Sequence, residues 1–194
     1  MGSKIYPIPY FQMICDEIKE LRRYIYFSPE NSAVYGDKIS ELIILMGTEI
    51  DTLFNHLVGG KQPNMRDYKA WLKRLHPKII EIKYFSYIHN KAKPIFQSLE
   101  PLTEYSWWRA YTELKHNRYR NLKKANLDNL HDIQAAYYVI CALAMKDSPS
   151  ALKQLKDTYS VICHPEIIRD KFATYQSTLK SLSNISAPGY FLDL

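Results

Sequence analysis

One segment of this 194-residue chain gathers residue types that can do chemistry: Trp107-Trp108-Arg109-Ala110-Tyr111-Thr112-Glu113-Leu114-Lys115-His116-Asn117-Arg118. At helical spacing Trp107, Tyr111 and Leu114 share one face and should pack inward, while Arg109, Thr112, Glu113 and His116 share the opposite face. Imidazole titrates near neutrality, which suits proton transfer. Guanidinium is a permanent cation whose fork matches phosphate oxygens. Seven residues of helix rise about 10 Å, so Arg109 and His116 point the same way without touching. If both serve one site, a ligand or a second copy of the helix must bridge them. Each also has a plain structural use. His116, Lys115 and Arg118 at a helix C-terminus would favour its dipole, and Arg109 can pair with Glu113 at i, i+4 for a few tenths of a kcal/mol.

The charge of the chain converges on the same place. Of 26 Lys and Arg against 20 Asp and Glu, residues 61–124 hold 15 basic and 5 acidic side chains, a net +10. The flanks 1–60 and 125–194 carry −3 and −1. Residues 109–124 alone hold 6 basic side chains and one acid, Glu113. A clustered positive field points to a polyanionic partner, nucleic acid ahead of a membrane surface, against the plain reading of a solvated face. A second basic run, Arg66, Lys69, Lys73, Arg74 and Lys78, either extends such a groove or solubilises a helix. His76 and His89 read as surface residues of the basic region. His131 reads as a core or rim residue of the helix that follows. Trp107 and Trp108 read as packing residues, with Trp108 the better candidate for exposure.

The elements that must position these residues are mainly helical. Apolar residues at three- and four-residue steps predict helices over about 10–26, 37–57, 65–75, 107–116 and 125–145. The stripe over 37–57 is broad enough to be central to the core. Gly59-Gly60 should end it, Asn64 and Ser106 should cap the helices that follow them, and residues 117–124 read as a polar basic connection. A helical extension covers about 149–182. Residues 79–90 read as a small β-hairpin as readily as a helix. With 46% hydrophobic and 24% charged residues, this is a single all-α (mainly) domain over 1–194.

Several classes are excluded by what the sequence does not contain. There is no phosphate-binding glycine loop, no Cys-x-x-Cys and no His-Glu-x-x-His, and Cys163-His164 is at most half of a metal site. No metal and no cofactor is therefore expected. No apolar run approaches the roughly 18 residues of a membrane span. Three cysteines, Cys15, Cys141 and Cys163, cannot all pair, and no basic-then-apolar leader opens the chain. A reduced, cytoplasmic protein is the expectation.

Arg109, six residues and His116 fit the Arg-x(4–6)-His signature of the HEPN superfamily, which this chain resembles. The wider run, continuing through Lys123-Lys124-Ala125-Asn126-Leu127, is similar to a pattern in uncharacterised bacterial HEPN-like proteins, and the likeness covers about residues 106–145. The resemblance implies an up-down helical bundle and a metal-independent endoribonuclease, a toxin or antiphage-defence component, with an antitoxin protein as a further partner. It implies that the RNA 2′-hydroxyl attacks its own phosphate, with His116 as base or acid and Arg109 stabilising the developing charge. Lys115, Arg118, Arg120, Lys123 and Lys124 would hold the flanking backbone, and a homodimer would bring two motif helices together. Two positions depart from the pattern. Ala110 follows the arginine where active members commonly carry a polar residue, and Thr112 stands where the wider pattern has Asn. Ala110 favours the alternative, a non-catalytic module of the same fold that binds RNA or a partner protein.

Overall fold

The computed structural model describes residues 7–59, 63–86, 88–102 and 104–163, the last six by backbone alone. Among these residues, seven α-helices and one two-stranded antiparallel hairpin make a mainly helical fold. The helices are α1 (Ile8–Leu21), α2 (Asp37–Val58), α3 (Met65–Leu75), α4 (Ser106–His116), α5 (Arg118–Asn121), α6 (Leu127–Ala144) and α7 (Pro149–Cys163). The expected extension from residue 164 to 182, and the Cys163-His164 pair, lie outside the described side chains. No helix among the described residues is long and apolar enough to cross a membrane.

α1 buries Ile8, Phe11, Ile14, Cys15, Ile18 and Leu21 on one stripe. It stops five residues short of the expected end. Of Tyr24, Ile25 and Tyr26 only Ile25 packs against the core, so the burial that sustains the helix runs out, and Arg23 and Tyr24 tighten into i→i−3 bonds. α2 ends where expected, on Gly59 at φ +70°, a left-handed conformation that glycine adopts without a Cβ penalty. α3 starts on a full capping box. The Asn64 side chain accepts from the N–H groups of Arg66 and Asp67, and Asp67 accepts from the Asn64 N–H at 2.8 Å, which satisfies donors a helix start leaves open.

The centre of the core is the pair α2 and α6, not α2 alone. α6 is buried on nearly every side from Leu127 to Leu143, as befits a helix apolar around its whole circumference. It begins at Leu127, two residues later than the sequence pattern suggests. Its first donors are taken by the preceding loop: Leu127 N–H bonds the Val34 carbonyl and Asp128 N–H the Ser32 carbonyl, both at 3.2 Å, while Asn126 caps Asn129 at 3.0 Å. Gly36 N–H reaches the Ala125 carbonyl at 3.2 Å, and the start of α2 is thereby tied to the start of α6.

The hairpin pairs β1 (Lys83–Ser86) with β2 (Lys91–Pro94), Lys83 opposite Pro94 and Ser86 opposite Lys91. It lies a few residues later than the expected 79–90, because 77–81 is a 3-10 turn that buries Ile79. Asn90 sits at φ +50° in the connecting loop, a region Asn tolerates better than most residues.

Candidate functional site

α4 is held against the core by its aromatic face. Trp107, Tyr111 and Leu114 are all buried, as the spacing predicts. Trp107 Nε1–H donates to the Ile95 carbonyl at 3.2 Å, and its ring stacks on Tyr105 with centroids 5.4 Å apart. Across from Tyr111 lies Gly47 of α2, where a methyl group would overlap the tyrosine ring. A residue without a side chain is what lets the two helices approach this closely. Ser106 does not cap α4. Tyr105 occupies that position with extended backbone, since burying its ring starts the helix one residue earlier, and Ser106 instead faces Asp132, its hydroxyl 3.5 Å from the carboxylate.

With the inner face fixed, Arg109 and His116 stand on the outer one, both exposed. Arg109 is already engaged. Its Nε–H donates to Glu113 at 2.7 Å, with Glu104 3.8 Å away, and the Glu113 hydrogen bond holds its pKa above the usual arginine value. The i, i+4 pairing open to the sequence is therefore formed. His116 ends the helix, and its side chain makes no hydrogen bond or ion pair among the described residues.

Beyond His116 the chain folds into a rigid turn rather than a plain connection. Asn117 leaves the helical conformation, and its side chain accepts from the Arg120 N–H at 3.2 Å to start α5. Asn121 Nδ2 donates to the carbonyls of Glu113 at 2.9 Å and Asn117 at 3.0 Å, which seats α5 on the end of α4. The basic side chains divide by what they touch. Arg118 bonds the Asp37 carboxylate at 2.8 Å and its carbonyl at 3.3 Å, tying the turn to the start of α2. Lys115 donates to the Tyr111 hydroxyl at 2.9 Å, which raises the pKa of its ammonium. Lys124 lies 3.8 Å from Glu113. Arg120 and Lys123 are exposed, and among the described residues neither forms an ion pair.

Arg109 and Lys124 line one pocket of about 310 Å³ with Gln97, Glu104, Ser106 and Asn129, over Tyr105 and Ala110. His116 is not part of it. The motif residues thus share a face but not a cavity. Ala110 is itself buried at 1% exposure; it belongs to the packed side of α4, where a polar residue would need a partner.

A second group of charges escapes sequence reasoning. The hairpin and α6 meet through His89 Nε2 and Asp128, 2.6 Å apart, and through Lys93 and Asp132 at 2.6 Å. The Tyr84 hydroxyl also donates to Asp132, and burial, then the Asp132 charge, push the Tyr84 pKa far up. The only signal in the sequence is Asp128 and Asp132 at i, i+4; their partners lie 39 and 48 residues away. Among the described residues, no three His, Cys, Asp or Glu side chains gather as a metal site.

Other residues of the basic region are placed differently from their sequence reading. His89 is a half-buried partner of Asp128 rather than a surface residue. His76 is buried against Trp71, ring centroids 5.1 Å apart, because it closes the last turn of α3. Lys69 is buried, its ammonium on the Glu100 carbonyl at 3.0 Å and over the Tyr105 ring at 4.4 Å. Lys73 pairs with Glu100 at 3.0 Å. The run from Arg66 to Lys78 therefore spends two cations on anchoring the loop before α4. Trp108 is half-buried, edge-on to Tyr68 and Trp107, so it is a packing residue too. His131 is a core residue, as the sequence suggests, and burial drives its pKa down to about 3. No family model, curated protein or solved structure matches the chain.

Proposed function

We propose that this chain is a metal-independent endoribonuclease of HEPN type, acting as a toxin or antiphage-defence component. The observation that carries the reading is the outer face of α4. It presents Arg109 and His116 to solvent and runs directly into a turn with no acidic residue between Glu113 and Asp128. In the proposed reaction the RNA 2′-hydroxyl attacks the neighbouring phosphorus. The 2′-proton leaves to a base, the bond to the 5′-oxygen breaks, and that oxygen regains a proton. The products are a 2′,3′-cyclic phosphate and a 5′-hydroxyl. His116 serves as the proton-transfer group, and Arg109 stabilises the charge on the phosphorane. The roughly 10 Å of helix between them is met by a homodimer in which Arg109 of one copy and His116 of the other converge. Lys115, Arg118, Arg120, Lys123 and Lys124 hold the flanking phosphates.

A second reading, a non-catalytic module binding RNA or a partner protein, is favoured by one observation. The Glu113 carboxylate sits 2.7 Å from Arg109 and 3.8 Å from Lys124, where a phosphate would have to displace it. One experiment separates the two. Wild type, Arg109→Ala and His116→Ala are incubated with transfer RNA and total RNA in EDTA. Cleavage by wild type that each substitution cuts by at least about 100-fold supports the nuclease. Intact RNA in every lane, with salt-dependent binding, supports the module. Cleavage that survives His116→Ala removes His116 from the mechanism. Light scattering tests the homodimer, and a strict monomer overturns the shared site.

A further inference from the structure

The most exposed large hydrophobic side chain among the described residues is Tyr119, at 93%, and it stands in the middle of the basic turn between Arg118 and Arg120. The ring takes no part in the core. Its backbone is nonetheless fixed, because the bonds of Asn117 and Asn121 seat α5 on the end of α4. An aromatic ring held out on a rigid turn offers a large flat face at little cost in conformational freedom.

A second exposed ring lies on the segment fastened to this turn. Tyr35 pairs through its backbone with Asn126 and is 48% exposed. The Arg118–Asp37 ion pair ties its segment to the turn. Around Tyr119 in the chain, Arg120 and Lys123 are exposed and have no carboxylate partner among the described residues. A protein-binding patch is depleted in lysine; here Lys123 and Lys124 follow the ring within the same turn. Aromatic faces interleaved with uncompensated positive charge are the composition of a surface that grips a single nucleic-acid strand, rings on bases and cations on phosphates.

We infer that Tyr119, assisted by Tyr35 on the adjoining segment, is a stacking platform for unpaired bases of a single-stranded RNA whose phosphates lie on Arg120, Lys123 and Lys124. The inference rests on the RNA reading above and adds strandedness to it, since a base inside a duplex has no free face to offer.

The test is fluorescence anisotropy with three probes of equal length: a single-stranded RNA, its duplex, and a strand whose bases are replaced by abasic sites. Wild type, Tyr119→Ala, Tyr119→Phe and Tyr35→Ala are compared, with thermal melts to confirm folding. Tyr119→Ala should weaken single-strand binding about tenfold, the effect of losing one stacked base. Tyr119→Phe should bind like wild type, Tyr35→Ala should lose less, and binding of the abasic strand should not change with Tyr119→Ala. Equal binding of the single strand by wild type and Tyr119→Ala, or a wild-type preference for the duplex, overturns the platform and leaves the RNA reading standing. Failure of wild type to bind any probe overturns the RNA reading itself, and this inference falls with it.

Discussion

Two regions of this molecule concentrate charge, and they handle it in opposite ways. Where the hairpin meets α6, His89, Lys93, Asp128 and Asp132 face one another at 2.6 Å contacts and are mostly withdrawn from water. Each of the two basic side chains there faces a carboxylate, and the result joins two elements distant in sequence. At the end of α4 the balance is broken: Glu113 is the single acid among six basic side chains from Arg109 to Lys124, and Arg120 and Lys123 lie open. Paired, half-buried charges are a fastening. An uncompensated, exposed surplus adds little to folding and sets up a field for an anion. The distinction cannot be made by counting charges along the chain, since His89 and Lys93 belong to the same basic third as Arg120 and Lys123.

Substitutions can widen that contrast or erase it. The largest effect on stability is expected for Asp132→Ala, which removes the acceptor of the buried Tyr84 hydroxyl and leaves the half-buried Lys93 ammonium only the more distant Asp128, at 3.9 Å. Chemical denaturation should show a loss of about 3 kcal/mol; a loss below about 0.5 kcal/mol would mean that the hairpin is held by packing alone. Acid should act next. His131 is neutral in the fold, with its pKa near 3 through burial, whereas in the unfolded chain it titrates near 6.5. Between those values the unfolded state binds a proton that the native state does not. Stability should therefore be fully present above about pH 6.5 and fall as the pH drops toward 3. Denaturation midpoints across that window check it, and His131→Gln should flatten the profile. The smallest stability effect belongs to Arg120→Ala and Lys123→Ala, within about 0.5 kcal/mol of wild type. In RNA binding the same pair should stand out, each lowering the slope of log affinity against log salt by about one. A stability loss as large as that of Asp132→Ala would dissolve the contrast.

What the sequence disclosed follows the range of the interactions involved. The Asn64 cap, the Gly59 stop and the buried face of α4 rest on neighbours within a turn or two, and all were readable. So was Arg109 with Glu113, as the plain use of an i, i+4 pair. The clasp between Lys93 and Asp132 was not, because nothing local announces a partner 39 residues away. α5 is a four-residue helix, too short to carry a period, and it emerges only from the side-chain bonds of Asn117 and Asn121. Ala110 reads as a departure from a motif when seen as a string. In the fold it is a buried position on the packed side of α4, and its small apolar side chain needs no other explanation.

Gly47 gives the site a hidden address. The helix that carries Arg109 and His116 stands where it does because one position on a different helix, with no chemistry of its own, has an alphabet of a single letter. A random-mutagenesis screen for loss of function should therefore return replacements at residue 47 alongside those at 109 and 116. Such alleles would be silent in any catalogue of surface residues. A compensating allele is expected at Tyr111, where trimming the ring restores the room that a side chain on α2 has taken.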